Sequence, residues 1–385
     1  MYPTLFHLFK DLFRVDWNFL KPINSFGFLV AIAFLSAAFL FRKEIIRKEK
    51  EGLLHGKLSI AIEGKKASSI ELVILFLIGF IIGFKFLYPF YDSSILNDFQ
   101  HYILSLKGSI FGGIAIGLGV AGQNYYQSEK TKLSEPIEVE KEVKPHEHIS
   151  NITLLALVFG FLGAKIFAWL EDPVPLSEFL HDPFSGLTIY GGLIAASVAC
   201  ISYIRKQKLH VFHMLDAVSP ALMLAYGIGR LGCHFSGDGD WGIKNTAAKP
   251  DLISILPDWI WCYDYPNNVI NKGIRIQDCM YSDYCYKLAT PVFPTPIYEF
   301  VICLFIFGLL MYFRKKIKLT GFIFISYLFF NGIERFTIEL IRVNETYNLF
   351  GILITQAQII STLFILMSFI GFGVLWKNPR YFNYG

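Results

Sequence analysis

Apolar residues in this chain gather into long runs separated by short charged connections. The first run spans Asn24 to Phe41, the second Ile70 to Phe90, and a short glycine-rich third Ser109 to Val120. Six more follow: Ile152 to Leu170, Leu187 to Ile204, His213 to Phe235, Ile297 to Phe313, Thr320 to Ile341 and Gly351 to Trp376. At 1.5 Å per residue such runs are helices that approach the thickness of a bilayer core. Nine spans are expected, with eight as the alternative because the third is short. Ahead of them, Leu5, Phe6, Phe9, Leu12 and Phe13 alternate with His7, Lys10 and Asp11 at helical spacing, which predicts either a short interfacial helix or an ordinary N-terminal arm. That apolar part is too short for a secretory signal. From Gln123 to His148, mixed Glu and Lys without an apolar period predict a mobile polar linker.

Charge placement orients these runs. RKEIIRKEKEGLLHGK, RKQK, RKKIK and KNPR are basic, whereas EDPVPLSEFLHD is acidic, and the two kinds of connection alternate. The positive-inside bias puts the N-terminus outside and the C-terminus in the cytoplasm. The organisation expected is an interfacial arm (1–23), first spans with a hairpin resembling an insertion (24–122), a cytoplasmic linker (123–150), a core with a periplasmic loop at 236–292 (151–376), and a cytoplasmic tail (377–385). Composition agrees: 54% hydrophobic and only 17% charged residues exclude an ordinary soluble domain. The net charge of +4 comes from clusters between spans, so no nucleic-acid surface is expected. The fold class is an all-α polytopic membrane protein, its helices surrounding a central cavity open to lipid. Three of the six cysteines, Cys262, Cys279 and Cys285, lie in the long outer loop. A bridge between Cys279 and Cys285 is open, with one thiol left over, and no CxxC or Cys/His zinc spacing is present. Neither metal nor cofactor is expected. Tryptophans and tyrosines in LPDWIWCYDYP predict a segment resting at the membrane surface.

Candidate chemistry sits at membrane depth. In YGIGRLGCHFSGDGDWG, Arg230 lies inside an apolar run, where a guanidinium costs several kcal/mol, roughly 2.5 to 3.5, without a partner or wet cavity. In SYLFFNGIERFTIELIR, Arg335, Glu339 and Arg342 fall at i, i+4 and i+7 and share a helix face. Between them come Tyr190, Gly191 and Gly192 of SGLTIYGGL, and Tyr298 and Glu299 of PTPIYE. A structural ion-pair lock between helices is one reading. Arginines facing an apolar, lipid-open cavity also describe a site for the phosphodiester of a phospholipid, which a guanidinium binds in bidentate fashion.

From Asn151 to the end the chain resembles the bacterial phosphatidylglycerol:prolipoprotein diacylglyceryl transferase family in motif order and spacing. GRLGCHFSGDGDWG is similar to that family's GRxGNFxNGExWG, PTPIYE to HPTQLYE, NGIERFTIELIR to YGxxRFxxEFxR, TQAQIIS to its last-span MGQ motif, and SGLTIYGGL to SFHGGL. The resemblance implies that Arg230 binds the phosphate of phosphatidylglycerol and that Arg335 is a second essential arginine. Glu339 and Arg342 match the neighbouring charged positions, Gly242 the closing glycine, and Asp238 the family's Glu. Departures are also plain: Tyr190 replaces a histidine, Cys233 and Ser236 replace asparagines, Asn331 a tyrosine, and Phe26 a first-span tyrosine.

The implied reaction joins a prolipoprotein to a lipid in the bacterial inner membrane. The lipobox cysteine of the prolipoprotein attacks the glycerol carbon bearing the phosphodiester, forming a thioether and releasing glycerol 1-phosphate. Partners so implied are phosphatidylglycerol, the prolipoprotein signal peptide and the membrane. The enzyme supplies a thiolate from a group of pKa about 8.5, stabilisation of the leaving phosphate, and alignment. Thiol activation has three candidate carriers: Tyr190 at the family's histidine position, His234, and the pair Asp238 and Asp240. Two other classes fit buried charges: a transporter, although no internal repeat is visible, and a catalytically silent lipid-binding relative that keeps the arginines.

Overall fold

The computed structural model of the chain describes residues 1–64, 66–92, 102, 105–134, 137–173, 175, 187–281, 283–349 and 351–378. Ten α-helices run through them: α1 (Leu5–Phe13), α2 (Ser25–Lys50), α3 (Ser69–Phe86), α4 (Ile110–Lys130), α5 (Ile149–Glu171), α6 (Ile189–Lys206), α7 (Val211–Ser236), α8 (Thr295–Lys316), α9 (Phe322–Glu339) and α10 (Gln356–Lys377). Three two-stranded antiparallel ribbons join them: β1 (Lys57–Glu63) with β2 (Ile137–Val143), β3 (Ile274–Arg275) with β4 (Tyr286–Lys287), and β5 (Thr346–Leu349) with β6 (Ile352–Thr355).

Six of these helices, among the described residues, are long and apolar enough to cross a membrane: α2, α3, α5, α7, α8 and α10. This is the architecture of a polytopic membrane protein. The three other expected spans are helices too, but fall short of that standard. α6 and α9 have 18 residues each, and α9 carries Glu334, Arg335 and Glu339. α4 dilutes its apolar residues with glycines and ends in QNYYQSEK.

Two stretches are more ordered than their composition predicts. The polar stretch after Val120 carries the last turns of α4 and then strand β2, paired with β1 from Lys57↔Val143 to Glu63↔Ile137. Ile137 and Val139 alternate with Glu138 and Glu140, a period of two that supports a strand even where most side chains are exposed. The last helix starts at Gln356, later than the apolar run, because Ile352–Thr355 pair as a strand and Thr355 caps the helix. Thr355 Oγ1 accepts the Gln358 N–H at 3.2 Å, and the Gln358 side chain accepts the Thr355 N–H at 3.0 Å. Most of EDPVPLSEFLHD, Asp98, Ser185 and Gly186 of SGLTIYGGL, and the tail from 379 onward lie outside the described residues.

The chain divides into two compact units. One comprises residues 2–25 and 57–143. In it α3 and α4 pack along glycines, close enough that a Cβ on Gly79 would lie 2.9 Å from the Gly117 Cα. Lys85 closes the turn between them by donating to the carbonyls of Tyr102 and Lys107, both at 2.9 Å.

The other unit comprises Met1, residues 26–56 and residues 144–385, so α2 belongs with α5–α10 rather than with the α3–α4 hairpin. α7 is its central helix: 56% of its apolar window is buried, against 33% or less in the other five candidate spans. It packs with α8 and α9 through Met223, Cys303, Ile306, Leu310 and Ile323. α10 lies on α9, and α5 pairs with α6.

A buried carboxylate registers α9 against α7. Helix α9 opens at Gly321, which has no side-chain cap of its own. Asp216 on α7 supplies one from outside, accepting the N–H of Gly321 at 2.8 Å and of Phe324 at 3.0 Å. Lys48 of α2 stands 3.7 Å from the same carboxylate, with both side chains nearly sealed. Replacing Asp216 by Ala strands the Lys48 charge and uncaps α9, so a loss of about 3 to 5 kcal/mol is expected. The midpoint of thermal unfolding in detergent should fall in Asp216→Ala and recover in part when Lys48→Met is added, because the second change removes the stranded ammonium.

Candidate active site

Charged side chains from α7, α8 and α9 converge beside the C-terminal end of α7. Glu299, on the second turn of α8, is fully buried and is the hub. Its carboxylate lies 2.8 Å from Arg230 Nε, 3.5 Å from Arg335 Nη1 and 3.5 Å from Arg342 Nη1, and it accepts the Tyr226 hydroxyl at 2.7 Å. Asp240, in the loop after α7, is a second bridge, with one oxygen on Arg230 and the other on Arg342. Arg335 also pairs with Glu339, one turn on, at 3.1 Å, and Asn344 donates to Glu339 at 2.6 Å. Three guanidiniums thus face three carboxylates, in surroundings where unpaired charge is expensive.

Local structure explains how residues far apart in sequence meet. α7 stops at Ser236 because Gly237 takes the left-handed conformation (φ 64°) and donates its N–H to the Cys233 carbonyl at 3.0 Å. The turn that follows brings Asp240 back over Arg230. Gly242 then pairs with Arg342 as an antiparallel bridge, and the Ile243 N–H reaches the Ile341 carbonyl at 2.8 Å. A Cβ on Gly242 would lie 2.7 Å from the Ile341 carbonyl oxygen and 2.9 Å from Thr295 Cγ2, so only glycine fits this approach. Arg342 therefore lies beyond α9, which ends at Glu339, and not on the same continuous helix face as Arg335 and Glu339. Backbone pairing with Gly242 aims it at the cluster instead.

Electrostatics separate the two aspartates of the mouth. Burial pushes Asp238 up to about 6, and the neighbouring charge of Asp240 adds to the shift. Burial alone would raise Asp240 as well, but Arg230, Arg342 and Arg335 hold it below the usual carboxylate range. One carboxyl is a fixed anion, while the other titrates near neutrality. Cys233 Sγ and oxygens of Asp238 and Asp240 lie within 4.8 Å of one another, the one such grouping among the described residues. Two guanidiniums already hold Asp240, so this is not an array of free ligands.

The remaining predicted residues are placed differently. Gly191 and Gly192 face α5, where added Cβ atoms would lie 2.7 Å from the Gly163 carbonyl oxygen and 2.8 Å from that of Gly160. Their contacts here are helix packing. Tyr190 stands half-buried at the head of α6 and is not joined to the arginine cluster by any hydrogen bond or ion pair among the described residues. Tyr298 donates to the Ile260 carbonyl at 2.7 Å, tying α8 to the outer loop. His234 packs among Trp259, Tyr263 and Tyr265, with its Nδ1 3.2 Å from the Tyr265 hydroxyl. Part of LPDWIWCYDYP thus covers the end of α7. In the same loop Cys279 and Cys285 are bridged, with Cα atoms 5.7 Å apart, and Cys262 is free.

Sequence reasoning missed the bridging by Asp240, the Tyr226 hydroxyl and the buried carboxyl of Glu334. Asp240 and Glu334 were visible as charges inside the two motifs, but nothing in their spacing names their partners.

A family model described as prolipoprotein diacylglyceryl transferase matches residues 113–374. The chain belongs to that family. Its members include the phosphatidylglycerol--prolipoprotein diacylglyceryl transferase of Clostridium botulinum (strain Loch Maree / Type A3), 28% identical over 245 residues that cover 61% of this chain and 84% of that protein. The protein of the same name from Clostridium novyi (strain NT) is 30% identical over 228 residues, covering 58% and 78%. That from Clostridium tetani (strain Massachusetts / E88) is 24% identical over 269 residues, covering 69% and 93%. Membership in the prolipoprotein diacylglyceryl transferase family supports an enzyme of the diacylglyceryl-transfer type, acting in lipoprotein maturation. The matched residues take in α7–α9 and the whole charged cluster.

Gly242→Ala forces a methyl group into the Ile341 carbonyl and the Thr295 side chain. A loss of about 1 to 3 kcal/mol is expected from such overpacking. Diacylglyceryl transfer should fall further than stability does, because Arg342 is displaced from the cluster. Thermal unfolding and transfer rate measured on the same preparation check this.

Proposed function

We propose that the protein transfers the diacylglyceryl group of phosphatidylglycerol to the lipobox cysteine of prolipoproteins, the first step of lipoprotein maturation. One observation carries the reading: Arg335 Nη1 and Arg342 Nε are buried donors without a hydrogen-bond partner, beside the Arg230–Glu299–Asp240 bridges. Donors so arranged suit the oxygens of a phosphodiester. In the step itself the cysteine sulfur forms a bond to the glycerol carbon while that carbon's bond to the phosphate oxygen breaks. The bonding electrons leave with glycerol 1-phosphate, and the arginines stabilise the charge that develops there. The thiol proton goes to Asp238, whose carboxyl stands where the family has Glu and titrates at about 6. Glu339 orients Arg335, and Glu299 holds all three arginines in place. Gly191, Gly192, Gly242 and Tyr298 act in substrate binding through the backbone positions they fix, together with Arg342, and Tyr190, at the family's histidine position, is the second candidate for thiol activation.

The same reading places the chain in the bacterial cytoplasmic membrane with nine spans around a lipid-open cavity. Its N-terminus and the loop 236–292 face the periplasm, and the stretch 123–150 and the tail from 377 face the cytoplasm. The disulfide between Cys279 and Cys285 suits an oxidising outer compartment. Residues 24–122 include α3 and the first turns of α4 as an inserted hairpin, with the transferase core at 151–376.

Complementation of a strain depleted of its own enzyme, with thioether lipid on a prolipoprotein read by mass spectrometry, is the direct test. Well-expressed protein that yields no modified product would point to a silent lipid-binding relative. Arg230→Ala and Arg335→Ala should each lower transfer by roughly a hundred- to a thousandfold while the protein remains in the membrane. Full activity in either would remove the phosphate role.

The Asp238 carboxyl must be ionised to take a proton. Transfer should therefore rise with pH through about 6 and be lost below it. Asp238→Asn should erase that limb of the pH–rate profile and lower the plateau by about a hundredfold or more.

A further inference from the structure

Glu334 is a carboxyl side chain of the α7–α9 core whose place the reading above leaves unexplained. It lies on α9 immediately before Arg335, is 3% exposed, and neither carboxyl oxygen has a hydrogen-bond donor from the protein. Glu299, Arg335, Arg230 and Arg342 are within electrostatic reach of it, as are the side chains of Tyr226 and Cys303. A buried carboxyl without a donor is costly, so its presence here calls for a compensating group.

The unsatisfied atoms around it have a pattern. Arg335 Nη1 and Arg342 Nε are donors that lack acceptors, while Glu334 Oε1 and Oε2 are acceptors that lack donors. A bare phosphate would satisfy only the first pair. A phosphodiester esterified to a polyol presents acceptor oxygens on its phosphate and donor hydroxyls a few bonds away, and satisfies both. We infer that Glu334 accepts a hydrogen bond from a headgroup hydroxyl of the bound phospholipid and so selects lipids with a polyol headgroup. The inference rests on the transfer reaction proposed above and adds a residue that determines specificity within it.

Selection by a buried acceptor predicts discrimination against a headgroup of the same length without hydroxyls. A site built to hydrogen-bond a hydroxyl rejects the analogue lacking it because the acceptor is then left unpaired. The full-length protein in phosphatidylcholine vesicles would be supplied with a lipobox peptide and with either phosphatidylglycerol or phosphatidylpropanol, and thioether product read by mass spectrometry. Wild-type kcat/KM should be lower for phosphatidylpropanol by roughly a hundredfold or more. Glu334→Gln, which keeps the shape, and Glu334→Leu should slow transfer from phosphatidylglycerol but not from phosphatidylpropanol, narrowing the gap, most of all in the leucine variant.

Equal use of the two lipids by the wild type would overturn the inference without recourse to any variant, and would leave the transfer reaction standing. A parallel loss with both lipids in the variants would also overturn it, since it would make Glu334 a structural group. Absence of transfer from either lipid by the wild type would instead sink the reaction on which the inference depends.

Discussion

A single sealed carboxylate, Glu299, holds three guanidiniums and a phenol in place, and the arrangement of α7, α8 and α9 depends on that neutralisation. In hydrocarbon surroundings none of these cations is tolerable alone. Removing the carboxylate would leave several buried positive charges facing one another, whereas removing one arginine would leave Glu299 two of its three partners. Ion pairing and readiness for an anionic ligand are compatible here, because the pairs consume some guanidinium nitrogens and leave Arg335 Nη1 and Arg342 Nε without acceptors.

The same helices are tied at their far end by a different carboxylate. Asp216 lies fourteen residues before Arg230 on α7, about 21 Å along the axis at 1.5 Å per residue. By capping α9 it prevents that helix from sliding, so Arg335 reaches the level of Arg230 and Glu299. Axial register at the site is thus set by contacts made well away from it.

Much of this was legible in the sequence, for identifiable reasons. Apolar runs fixed by hydrocarbon thickness located the helices, and an arginine in lipid announced Arg230 and Arg335 as residues needing partners. The motif order carried the family. What escaped was decided by long-range closure. Arg342 looked like one more turn of α9, but the helix ends at Glu339 and a bridge with Gly242, a hundred residues earlier, directs it. Gly191 and Gly192 permit a close approach, but only the structure names α5 as what approaches them. The stretch IEVEKEV had no helical period, and its strand character required the partner at residues 57–63.

That ribbon has a topological consequence. The chain enters the α3–α4 unit at Lys57 and leaves it at Val143, and these two residues are opposite partners at the end of the β1–β2 ladder, which sets their Cα atoms about 5 Å apart. A segment whose ends meet leaves only the space of a tight turn between the backbone on either side. The eighty-odd residues between them are a detachable module in the backbone sense: Gly56 and Lys144 can be joined by a short linker without stretching what lies on either side.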